Sequence, residues 1–181
     1  MKRLAALLAL ALPFAATAAD YAVQPAASTL GFSDTFQGEA FNGHFGQWTA
    51  AISYDPANLA ASKFDVEVVL ASVKTGDKDR DGALPGTDFF DVAKFPKAHF
   101  VSTGFHQNGA RVIADGNLTL RGVTKPVSLD VTFKPQGKSA TLDVAGTVKR
   151  LEFGVGGGDY ADTSVIGADV KITAHLQLAP K

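Results

Sequence analysis

The chain has 181 residues, a formal charge of −1, no cysteine and a single methionine, Met1. Near-neutral charge without a basic cluster excludes nucleic acid as a partner class. The absence of cysteine excludes disulfides and thiol nucleophiles, so a hydrophobic interior must hold the fold together.

Lys2-Arg3, an apolar run from Leu4 to Ala16 and the small residues Ala16-Thr17-Ala18-Ala19 have the pattern of a secretory signal peptide. The run is too short for a membrane span, which takes ~20 residues. A leader at 1–19 implies export and leaves one domain over 20–181, long enough for a sizeable core. Loss of Lys2 and Arg3 takes the formal charge from −1 to −3 (−1 − 2).

From Asp20 the chain reads as strand after strand. Leu30 and Phe32 lead into a glycine-rich stretch, Gln37 to Gly46, which suggests a bend or bulge between strands. Trp48, Ala50, Ile52 and Tyr54 alternate with Gln47, Thr49, Ala51 and Ser53 until Asp55-Pro56 breaks the pattern. Phe64, Val66, Val68 and Leu70 repeat it. A period of two places alternate side chains on one face, so each strand has an apolar and a wet side.

Between Lys74 and Lys97 the alternation stops, with charges first and Phe89, Phe90 and Phe95 last. A charged loop, a short helix and a second loop ended by Pro96 are expected, with the aromatics as a plug. Strands resume over Ala98–Phe105 and Arg111–Ala114, joined by the strong hairpin signal Asn108-Gly109. Leu118 and Leu120, then Val127, Leu129, Val131 and Phe133, form a second hairpin about Gly122. Lys125-Pro126 is placed before the ladder begins, since proline donates no backbone hydrogen bond. Leu142 to Val148 and Val170 to Leu178 alternate around a glycine-rich connection, Gly154 to Gly158, expected to be flexible.

About eight antiparallel strands with one apolar face and one short helical insertion make an all-β fold, either barrel or sandwich. A barrel removes exposed edges. The residues favour no enzymatic chemistry: no Gly-x-Ser-x-Gly elbow is present, and His44, His99, His106 and His175 are widely spaced. Asp77-x-Asp79-x-Asp81-Gly82, with Asp88 at the twelfth position, fits the spacing of an EF-hand calcium loop. A solvated charged loop is the competing reading of this segment. The abundant aromatic and aliphatic residues either fill a core or line a cavity, and periodicity does not distinguish these cases.

Leu118-Thr-Leu-Arg-Gly-Val-Thr-Lys-Pro-Val127 resembles the central motif of the YceI-like family. Phe36-Gln-Gly-Glu39, Phe41-Asn-Gly-His-Phe45, Ala71 to Gly76 with Arg80-Asp81, Asp88-Phe-Phe-Asp91, Phe95 to Phe100 and Arg150-Leu-Glu-Phe-Gly154 are similar to the family's other motifs, with Lys149 in place of the usual asparagine. The resemblance implies an extended antiparallel lipocalin-like β-barrel in the periplasm, a non-enzymatic binder or carrier. Its implied cargo is a polyisoprenoid lipid such as a quinone tail or polyprenol. A fatty acyl amide is the other cargo that it implies, and a filled barrel acting through its surface is the competing function. No cofactor is implied beyond a bound isoprenoid or quinone. A homodimer, transient membrane contact and a membrane cytochrome partner are also implied. The expected ligand-lining residues are Trp48, Ile52, Phe64, Val66, Val68, Phe100, Leu118, Leu120, Leu129, Val131 and Phe133, with Phe89 and Phe90 as lids.

Overall fold

The computed structural model describes residues 18–181. The expected leader therefore lies outside the described residues, apart from Ala18 and Ala19. Strands β1 (Ala19–Val23), β2 (Thr29–Phe36), β3 (Glu39–Phe45), β4 (Trp48–Tyr54), β5 (Lys63–Val69) and β6 (Val73–Lys74) precede one helix, α1 (Lys78–Ala83). The longer strands β7 (Lys97–Asn108), β8 (Arg111–Leu120), β9 (Val123–Gln136), β10 (Ser139–Lys149) and β11 (Asp169–Pro180) follow.

These strands form an antiparallel barrel rather than a sandwich. The ring runs β1-β4-β5-β7-β8-β9-β10-β11 and closes by β1 pairing with β11, making eight strands. Strand β11 changes partner along its length: Leu178 to Pro180 pair with β1, whereas Lys171 to His175 pair with β2. The β2–β3–β6 extension continues the wall at that second end.

Register puts the apolar sets on one side. Ile52 faces Phe64, Val66 faces Phe100, and Phe100 in turn faces Leu118. Closure of the ring brings these faces together around one interior. Arg121 and Gly122, both at positive φ, make the two-residue β8–β9 turn, the geometry whose twist matches the flanking strands. Arg121 reaches from this turn to the carbonyls of Thr87 (2.6 Å) and Gly154, tying three connections together.

Several local expectations differ. The Gln37–Gly46 stretch is mostly strand β3, and Gly43 there is a packing requirement: a Cβ on it would lie 2.3 Å from Phe32 Cζ. Pro126 lies inside β9, opposite Asn117, yet β10 joins the other edge of β9 only from Leu129 onward. Its missing donor therefore falls on an edge without a partner strand.

The helix forms on the charged segment, because Asp77 caps it by accepting from the backbone N–H groups of Asp79 (3.0 Å) and Arg80 (2.9 Å). Of the two readings of this segment, the calcium loop, the weaker one, is not what forms. Asp81 accepts from the Thr75 backbone N–H (2.6 Å) and hydroxyl (2.8 Å), and Asp77 is spent on the cap, so the carboxylates do not converge. Among the described residues, no group of three His, Cys, Asp or Glu side chains could hold a metal.

Candidate functional site

The barrel interior is filled at one end and hollow toward the other. At the filled end, the Tyr54 ring packs on Phe133 (4.9 Å between centroids), Phe64 and Phe105, while Phe64 and Phe105 meet edge-on at 4.8 Å. Val131, Ala140 and Leu178 complete this packing. At the opposite end, Leu84, Phe90, Phe153 and Val155 pack with Phe32 and Val148 from the wall.

Between them lies a cavity of about 580 Å³. Small-molecule sites span ~300–1,000 Å³. Trp48, Ile52, Phe64, Val66, Val68, Phe100, Leu118, Leu120 and Leu129 line it, together with Phe89 and Phe90 at the plug. Val131 and Phe133 do not line it and are corrected to the packed end. Both belong to the inward face of β9, but Tyr21 and Tyr54 already occupy the barrel space in front of Phe133. The expectation also omits the β2–β3 aromatics Phe32, Phe41 and Phe45, the β11 residues Ile172 and Ala174, and Ile166 from the late loop. Alternation marks Phe32 and Ile172 as inward, whereas no local pattern places Ile166.

The exposed lining residues Phe36, Asp77, Asp79 and Tyr160 mark where the cavity meets solvent. Phe36 and Tyr160 are about 40% exposed, and Val165 beside them is similarly open. Phe36 bridges to Ile166, and Tyr160 packs on Phe89 at 5.0 Å, so β2, the plug and the late loop share one rim. The Asp34 carboxyl on this wall has its pKa raised, chiefly by desolvation and partly offset by the Thr35 backbone N–H and the positive charge of Arg150.

Arg150 holds the rim loop in shape. It is 3% exposed, and its guanidinium donates to five carbonyls: Gly167 (2.7 Å), Val155 (3.1 Å), Gly156 (2.5 Å), Tyr160 (2.9 Å) and Ile166 (2.9 Å). Burial lowers the pKa of this cation. The glycine-rich connection, expected to be flexible, is thus fastened to a single side chain, since buried carbonyls require donors.

The hairpin motif, the β2–β3 glycine motif, the plug and the Arg150 loop all meet around this cavity, and a family model for the YceI-like domain matches residues 21–178. The chain belongs to the YceI-like family. A UPF0312 protein of Pseudomonas savastanoi pv. phaseolicola is 38% identical over 152 residues, covering 78% of this chain and 79% of the relative. Burkholderia cenocepacia BcnA is similar in structure, with a TM-score of 0.83 and 31% identity over 87% of this chain and 99% of that one. A polyisoprenoid binding domain from Saccharophagus degradans, implicated in plant cell wall breakdown, has the same fold at 17% identity, with a TM-score of 0.68 over 91% of this chain and all of that one. This YceI-like barrel can hold a hydrophobic ligand in its cavity.

Proposed function

We propose that the protein is a periplasmic carrier that holds the tail of a polyisoprenoid lipid, a prenyl quinone or polyprenol, inside the barrel. The observation that carries this reading is the long apolar cavity between a packed end and an open rim. Each isoprene unit moved from water into such a cavity contributes about 3 kcal/mol before ordering costs, at ~0.8 kcal/mol per buried methylene. Tail length therefore dominates affinity. The predicted leader supports export, and the S. degradans domain supports the cargo class at the level of fold. The apolar rim of Phe36, Tyr160 and Val165 suits transient contact with a membrane during loading.

Mass spectrometry of an organic extract from protein purified out of its native periplasm, beside an unrelated periplasmic protein, tests this. A stoichiometric prenyl quinone or polyprenol is the expected result. A straight-chain fatty acyl amide in its place would retain the barrel and discard the isoprenoid, and no lipid at all would remove the carrier reading.

A further inference from the structure

Arg80 stands apart from the other arginines of the described residues. Arg111 pairs with Asp130, Arg121 donates to the carbonyls of Thr87 and Gly154, and Arg150 donates to five carbonyls. The Arg80 guanidinium makes no hydrogen bond or ion pair among the described residues. It lines the cavity and lies over the Phe41 ring, 3.9 Å from the centroid. Phe41 is itself a cavity wall residue, so the cation is held at the open end of an apolar tunnel with its N–H edge uncommitted. Guanidinium stacking on an aromatic face fixes the plane while leaving its donors available.

We propose that Arg80 is the head-group recognition residue of this site, donating to an oxygen on the polar end of the lipid while the tail fills the barrel. The inference rests on the carrier reading above. The remaining charge at the mouth narrows the head-group class. Asp34, Asp77 and Asp79 line the same end, and Arg150, the other cavity-lining arginine among the described residues, is already saturated by backbone carbonyls. A phosphate or carboxylate head would meet three carboxylates for one available arginine. A neutral acceptor, a carbonyl or hydroxyl oxygen, gains the charge-assisted hydrogen bond without that repulsion.

The test uses delipidated mature protein and three probes that share one prenyl tail: farnesene without a head, farnesylacetone with a neutral carbonyl, and farnesyl phosphate. Affinities are read from Trp48 fluorescence or calorimetry. Arg80→Met, which keeps the methylene stem and removes every donor, is expected to weaken farnesylacetone about 10-fold or more and farnesene less than twofold, the scale of a hydrogen bond to a charged group. Arg80→Gln, with two donors and no charge, falls between, and guards against a folding defect in the first variant. Wild-type protein should bind farnesylacetone more tightly than farnesyl phosphate. Equal weakening of farnesene and farnesylacetone would make Arg80 a packing residue and overturn the proposal, as would no effect on either. Tighter binding of the phosphate would overturn the neutral-head assignment. Failure of the wild type to bind any of the three would sink the carrier reading itself, a result distinguishable from all the others.

Discussion

Replacing Arg150 with methionine isolates what one buried cation does for the rim of the cavity. The substitution keeps similar length and removes donors to Gly167, Val155, Gly156, Tyr160 and Ile166 at once. At ~1.5–3 kcal/mol for each hydrogen bond to a charged group, simple addition over the five would rival the ~5–15 kcal/mol total stability of a domain. Two effects reduce the sum. The loop carbonyls can turn toward water, and the desolvation that lowers the pKa of Arg150 is relieved. A net loss of about 3 kcal/mol remains, near the cost of stripping the partner from a buried polar network. For a domain of this size that corresponds to a fall in Tm of roughly 6–12 °C. Thermal melting reads the global cost, and hydrogen exchange of residues 154–166 reads the local one. The loop should exchange first and fastest, with ligand release accelerated because Val155, Tyr160 and Ile166 line the cavity. Arg150→Lys should recover only part, since an ammonium offers three donors and no planar fork. A Tm within 2 °C of wild type together with unchanged loop exchange, a tolerance set at about 1 kcal/mol, would refute the assignment of Arg150 as the clasp.

Three other outcomes are expected. Ala174→Trp, on the cavity wall opposite Val144, should preserve or raise Tm by burying apolar area while shortening the longest tail retained, as read by native mass spectrometry. Phe133→Ala should cost about 3 kcal/mol in denaturant unfolding because it empties space against Tyr54, whereas Leu118→Ala, on the wall of an existing cavity, should cost clearly less; equal losses would contradict the division between packed and hollow ends. Asp34, whose folded pKa is raised, favours its neutral form in the fold, so its contribution to stability falls as pH rises from the ordinary carboxylate value through the folded one. Asp34→Asn should therefore raise Tm at neutral pH and flatten the pH dependence on the acid side, and a lower Tm at pH 7 would show that its attraction to Arg150 outweighs desolvation.

The strand content was legible because alternation at β4, β5, β10 and β11 is a local property of the backbone. So was the insertion, since Lys74 to Lys97 breaks the period. The placement of α1 within it was not: the capping of two N–H groups by Asp77 and the capture of Asp81 by Thr75 turn a segment spelled like a cation loop into a helix. Pro126 was misplaced for a related reason, because the safety of a proline depends on which edge has a partner, and that is set by the staggered start of β10.

Residue order by itself determined the inward sets, the turns at Gly109 and Gly122, the charge balance that disfavours polyanions, and the family motifs. Tertiary structure decided which inward residues meet a cavity and which meet each other. Val131 and Leu129 occupy the same face of the same strand, two residues apart, yet only Leu129 lines the hollow part. Alternation repeats along the whole strand, whereas free volume depends on side chains arriving from distant strands, here Tyr21, Tyr54 and Phe105. The same holds for Arg150 and Arg80: nothing local in the sequence distinguishes their roles, and only the folded late loop gives one five carbonyls while the packing of α1 against β3 leaves the other over Phe41 at the mouth.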